Sequence, residues 1–144
     1  MADFVFNIAK GSIKKRIADG ATLRALLLKV ADADATLLDL DTVAAVLASG
    51  STAEADFTNY ARKTLASLTG AIDDTNNRAT ADAVDLVYTT AGGATNNTTA
   101  KLIIYDFITD DSSSIPLVAL DCVFTTDGND VTVVFNSVGF WKSE

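Results

Sequence analysis

Val118-Ala119-Leu120-Asp121-Cys122-Val123-Phe124, then Thr125-Thr126-Asp127-Gly128-Asn129-Asp130, then Val131-Thr132-Val133-Val134-Phe135 is the stretch whose reading decides the fold. Apolar residues recur at every second position in the two outer runs, the spacing of a half-buried strand. Asp127-Gly128 between them readily supplies the positive backbone dihedrals of a tight turn, so the stretch predicts a β-hairpin. Upstream, Ile103, Tyr105 and Phe107 define one face of a further strand and Leu102 and Ile104 the other. Apolar residues on both faces predict a central strand. Asp110 to Ser114 is a polar turn, and Pro116 fits the first residue of the following strand because it has no amide hydrogen to donate.

Working towards the amino terminus, Val84, Leu86 and Tyr88 alternate as another strand, followed by a flexible loop over 91–97. Residues 70–81 contain Asp73-Asp74-Thr75-Asn76-Asn77 and predict an exposed loop. The aromatics and threonines of Phe57 to Leu65 favour a strand. Leu37, Leu40, Val43, Ala44 and Leu47 form one stripe of a single helix that Thr36 opens and Ser49-Gly50-Ser51 ends. The leucine-rich run Leu23 to Val30 predicts a buried strand. Ile8, Ile13 and Ile17 among Lys10, Lys14, Lys15 and Arg16 suit a short amphipathic helix closed by Asp19-Gly20, and Phe4, Phe6 and Ile8 suit an extended arm that adds to a sheet edge. The expected fold is therefore mainly β, a β-sandwich or jelly-roll-like domain with a short amino-terminal arm and helix and one inserted helix. One domain spans 1–144, with 1–20 as arm and helix and 21–144 as the β-rich body.

Composition narrows the function classes. No apolar run approaches the roughly 20 residues of a membrane-spanning helix, and the opening Met1-Ala2-Asp3-Phe4 lacks the pattern of a secretory signal. The expectation is a soluble chain that folds in a cytoplasm, with no membrane partner. A net charge of −8 opposes nonspecific nucleic-acid binding. The charge is unevenly spread: residues 1–30 carry +4 and the remainder −12, so a basic end can pair with an acidic partner or a second copy.

Catalysis finds little support. There is no histidine, no Gly-x-Ser-x-Gly elbow and no phosphate-binding glycine loop, and the single Cys122 lies on an apolar strand face, as a buried structural cysteine would. One cysteine without histidine gives no zinc set. Asp32, Asp34, Asp39 and Asp41 form one acidic cluster and Asp106, Asp110 and Asp111 another, but neither has the spacing of a calcium loop with its terminal Glu. The expectation is no enzyme activity, no cofactor and no metal.

The succession Phe4-Val5-Phe6-Asn7-Ile8-Ala9-Lys10-Gly11, Leu26-Leu27-Leu28-Lys29, Ala33-Asp34-Ala35-Thr36-Leu37 and Asp41-Thr42-Val43-Ala44-Ala45-Val46-Leu47-Ala48 resembles small virion structural proteins encoded among the head genes of tailed bacteriophages. The likeness continues through Phe57-Thr58-Asn59-Tyr60-Ala61-Arg62-Lys63, Asp73-Asp74-Thr75-Asn76-Asn77-Arg78 and Ile115-Pro116-Leu117, and its type is the capsid decoration, or cement, protein. The resemblance implies a place on the capsid exterior, the major capsid protein as partner, a homotrimer, and stabilisation of the shell without a reaction. Phe4, Phe6 and Ile8 would then dock on a neighbour while Lys10, Lys14, Lys15 and Arg16 pair with acidic surface. A competing assignment of Phe4 and Phe6 is to the chain's own core. The rival function is a tail or head-fibre component that binds carbohydrate for host attachment, with Tyr60, Tyr88, Tyr105 and Trp141 as the available aromatics; a small hydrolase comes third.

Overall fold

The structure, a computed structural model, describes residues 3–6, 13–76 and 78–143, the side chains of Lys14, Asp73 and Ser143 excepted. It is mainly β, and every strand pairing among the described residues is antiparallel, consistent with a sandwich. The central strands are β2 (Thr22–Val30) and β8 (Lys101–Phe107), paired from Thr22↔Phe107 to Leu28↔Lys101. β9 (Ile115–Asp121) lies on the other side of β8, and β1 (Phe4–Val5) closes that edge against β9. β3 (Ala53–Glu54) and β4 (Lys63–Thr64) share the far edge of β2. Leu102, Ile103, Ile104 and Tyr105 are all completely buried, as a strand covered on both faces requires.

Alternation along β8 assigns the two faces. Lys101, Ile103 and Tyr105 look towards the helical side, where the Lys101 ammonium meets Asp34 of α2 (Asp34–Leu37). Leu102 and Ile104, with their partners Leu120 and Val118, look towards the smaller sheets. One of these pairs β10 (Val131–Val133) with β7 (Leu86–Tyr88); the other has the order β11 (Trp141–Ser143), β6 (Arg78–Asp82), β5 (Thr69–Asp73). The arm lies on its own chain's sheet: Phe6 donates its N–H to the Leu117 carbonyl at 3.1 Å and is fully buried. α1 (Ile13–Ala18) covers part of the helix expected from Ile8 to Ile17, whose first residues lie outside the described ones.

Five local expectations are corrected. The predicted hairpin does not form, because β9 pairs with β8 and β1 whereas β10 pairs with β7. Gly128 does turn the chain, at φ +97°, but the segment it turns crosses between sheets. The single inserted helix is two, α2 and α3 (Val43–Ala48), separated by residues 38–42, of which Thr42 caps α3 in an extended conformation. Thr42 Oγ1 accepts from Ala45 N, while Ser114 and Asp111 offer carbonyls to Val43 N and Ala44 N, so the start of α3 is bonded by its surroundings. Within 57–65 only Lys63–Thr64 is strand; Asn59 takes φ +68° and Phe57 and Tyr60 turn inwards as an aromatic cluster with Tyr88. The described residues of 70–81 are largely a hairpin, β5 paired with β6 and β6 in turn with β11. Pro116 is the second residue of β9, opposite Tyr105 and beside a register irregularity.

Candidate functional site

The residues expected to contact a partner divide between interior and surface. Phe4 is half-buried, its ring 5.2 Å from that of Phe6 and 5.1 Å from the Lys101 ammonium. Phe6 belongs to the chain's own core. Arg16 Nη1 donates to Asp106 Oδ2 at 2.6 Å, with both side chains largely covered, so its charge is engaged within the molecule. Lys15 is exposed and pairs with Asp19 one helical turn on. Ile8 and Lys10 lie outside the described residues, and Lys14 is placed on α1 by its backbone.

Where the arm meets the carboxy-terminal segment, a groove of about 520 Å³ opens. Leu102, Val118 and Leu120 of the central sheet line it, together with Phe4 and Val5 of the arm and Phe135, Phe140 and Trp141 from the other side. Phe135 and Phe140 fix one another at 5.5 Å, and Gly139 brings that segment against β6. Gly139 has φ +92°, and a Cβ there would stand 2.1 Å from the Ala81 carbonyl oxygen. Val134 is 68% exposed at the groove, a large apolar side chain with water on most of its surface. Asp3, Asp121 and Lys142 supply its charges. The sequence indicated the apolar alternation of Val131, Val133 and Phe135, but not that Val133 and Phe135 would line a groove with the arm.

Cys122 also lines this groove, and burial, aided by the nearby Asp3 carboxylate, pushes its thiol up to about 11. Such a thiol is protonated near neutrality and a poor nucleophile.

The acidic clusters serve the scaffold. Asp32 accepts from Ser49 Oγ at 2.7 Å and from Ala33 N at 2.7 Å, which holds its carboxyl below the usual range. Asp34 and Asp121 flank the fully buried Lys101 ammonium. Asp110 accepts from the amides of Ser112 and Ser113, and Asp111 binds Arg62. Among the described residues, no group of three or more carboxylate, cysteine or histidine side chains is placed to hold a metal ion.

The aromatics available to a sugar are mostly inside: Tyr88, Tyr105 and Trp141 are buried, and Tyr60 is half-buried with its hydroxyl on Glu54 Oε1 at 2.7 Å. Burial drives the Tyr60 hydroxyl well above the ordinary phenol range. Among the described residues no helix is long and apolar enough to cross a membrane. No protein-family description, curated protein or solved structure matches the chain.

Proposed function

We propose that this chain is a structural virion protein that decorates and stabilises a tailed-phage capsid from outside by bridging neighbouring capsomers, without catalysis. The observation that carries the reading is the groove at the seam of arm and carboxy-terminal segment, lined by apolar side chains with charges at Asp3, Asp121 and Lys142 and with Val134 exposed beside it. It offers an extended apolar segment of the major capsid protein a place to dock. The sequence likeness to head-gene structural proteins supports the same assignment. Each docked copy removes apolar surface from water, worth about 25 cal/mol per Å² before the cost of association, so many copies brace a shell through individually modest contacts. Lys15 at the surface of α1 adds an electrostatic contact to acidic capsid surface.

The test is to add purified protein to undecorated shells and measure copies bound per shell, with the wild type and with Val134→Asp. Binding in regular stoichiometry, weakened at least tenfold by the substitution, is expected. Because Val134 is exposed, its loss leaves the fold intact, which circular dichroism checks. Binding confined to one vertex or to the tail, or indifferent to Val134→Asp, removes the reading.

A further inference from the structure

Among the described residues β5 is the outer strand of its sheet, and Thr69, Gly70, Ala71 and Ile72 are all exposed, Ile72 by 63%. Its inner side is paired with β6 from Thr69↔Asp82 to Asp73↔Arg78. On β6, Ala81 turns its carbonyl to the opposite side, where Phe140 N donates to it at 3.0 Å. Backbone polarity alternates along a strand, so Thr80 and Asp82 face β5, and their partners Ala71 and Thr69 face back. Gly70 and Ile72 therefore aim their N–H and C=O groups outwards. The β3 and β4 edge of the central sheet bears Glu54 and Lys63, which discourage pairing, but residues 69–72 bear no charge. An outer strand with four uncharged residues in a row is a template for another strand.

We propose that this edge is an interface between two copies of the chain, β5 pairing antiparallel with β5 of the second copy across a twofold axis at Ala71. The register selects that occupant. Gly70 of each copy meets Ile72 of the other and exchanges hydrogen bonds in both directions, and the Ile72 side chain covers the bare backbone of the facing glycine. Ala71 faces its own counterpart, where a small side chain allows close approach. Asp73 falls opposite Thr69 of the second copy, so the acidic turns at Asp73 and Asp74 sit at opposite ends of the ladder; moving the axis towards the turn would bring them together. α1 packs against β5 and β6 and carries the exposed Lys15, which offers a cation to the arriving acidic turn.

The contact is a property of the chain itself and does not rest on the capsid reading. It is limited to two hairpins, so association depends on concentration. Sedimentation equilibrium of the full chain from micromolar to millimolar concentration tests it, with two variants. Ile72→Pro removes an outward N–H and leaves the bonds to β6 in place. Ala71→Asp sets two carboxylates face to face at the axis. The expected result is a mass rising from one chain to two in the wild type, at least tenfold weaker association for each variant, and recovery of Ala71→Asp in high salt. Salt recovery distinguishes repulsion at the axis from a damaged fold. A mass of one chain throughout, the three-chain mass implied by the sequence resemblance, or an assembly indifferent to both substitutions overturns the proposal.

Discussion

Arg62 and Glu54 meet fork to fork: Nε donates to Oε1 and Nη2 to Oε2, each at 2.7 Å. The remaining donors of the guanidinium reach Asp111 Oδ1 at 2.6 Å, Asp111 Oδ2 at 3.0 Å and the Tyr105 hydroxyl at 3.4 Å. Glu54 also accepts from Tyr60, whose oxygen in turn accepts from Leu27 N. One cation thus ties the edge strand β3 to the β8–β9 loop and, through Tyr60, to β2.

Arg62→Met leaves two part-covered carboxylates without their shared cation. We expect a loss of about 2–4 kcal/mol, read from urea denaturation. Arg62→Lys should recover less than half, since an ammonium cannot bind two carboxylates in the same plane. A midpoint unchanged in both variants would show that the network adds nothing to stability.

Stability should fall in acid through Asp111. Hydrogen bonds from Arg62 hold its carboxyl below the ordinary range, so its contribution is present above about pH 4 and is lost as pH drops through the lowered value. Urea midpoints from pH 7 to pH 2 should decline less steeply in Asp111→Asn, which starts lower at pH 7. On the alkaline side the sign reverses: Cys122, raised to about 11, contributes fully below the ordinary thiol range and ceases to as pH passes its raised value. Cys122→Ala should flatten that limb.

The arm can be tested through Phe6, which is fully buried. Phe6→Ala should cost about 3–5 kcal/mol in the isolated protein, whereas Lys15→Ala should change stability by less than about 0.5 kcal/mol. A thermal midpoint unmoved by Phe6→Ala would mean that the arm is not part of this core.

Gly139→Ala should lower stability by roughly 2–4 kcal/mol, because an L side chain is strained at φ +92° and its Cβ would strike the Ala81 carbonyl. Differential scanning calorimetry gives the shift. Gly20→Ala is the control: its φ of +82° is equally left-handed but nothing lies within 4 Å of the added Cβ, so it should cost less.

Much of the central sheet was legible because burial on both faces leaves a mark in sequence. Leu23 to Val30 and Leu102 to Phe107 are such runs, and they pair with each other. What failed was partner choice. Asp127-Gly128 predicts that the chain turns, but cannot say whether the strand beyond it joins the same sheet; β10 took Tyr88, Val87 and Leu86 instead. Thr42 hid the break between α2 and α3 because the carbonyls that favour it come from Ser114 and Asp111, far along the chain. The apolar alternation of Val131 to Phe135 predicted burial of one face, yet the groove arises from apposition with Phe4 and Val5, which no local pattern encodes. The hairpin over 69–82 was missed for a related reason: glycine, alanine and aspartate are weak strand formers, and the pairing of β5 with β6 and of β6 with β11 overrides that preference.

The pairing of β2 with β8 also sets a clock for synthesis. Leu26, Leu27 and Leu28 leave the ribosome more than seventy residues before Lys101, Leu102 and Ile103 arrive to flank them. Until then the stickiest segment of the chain has no strand beside it on that side, and chaperone occupancy should be greatest in this interval. A message cut short before codon 101 would yield a polypeptide that cannot shield those leucines with β8, however intact its own two-thirds may be. Ribosome-bound fragments of increasing length should remain protease-sensitive until β8 and β9 have both emerged, then become resistant together.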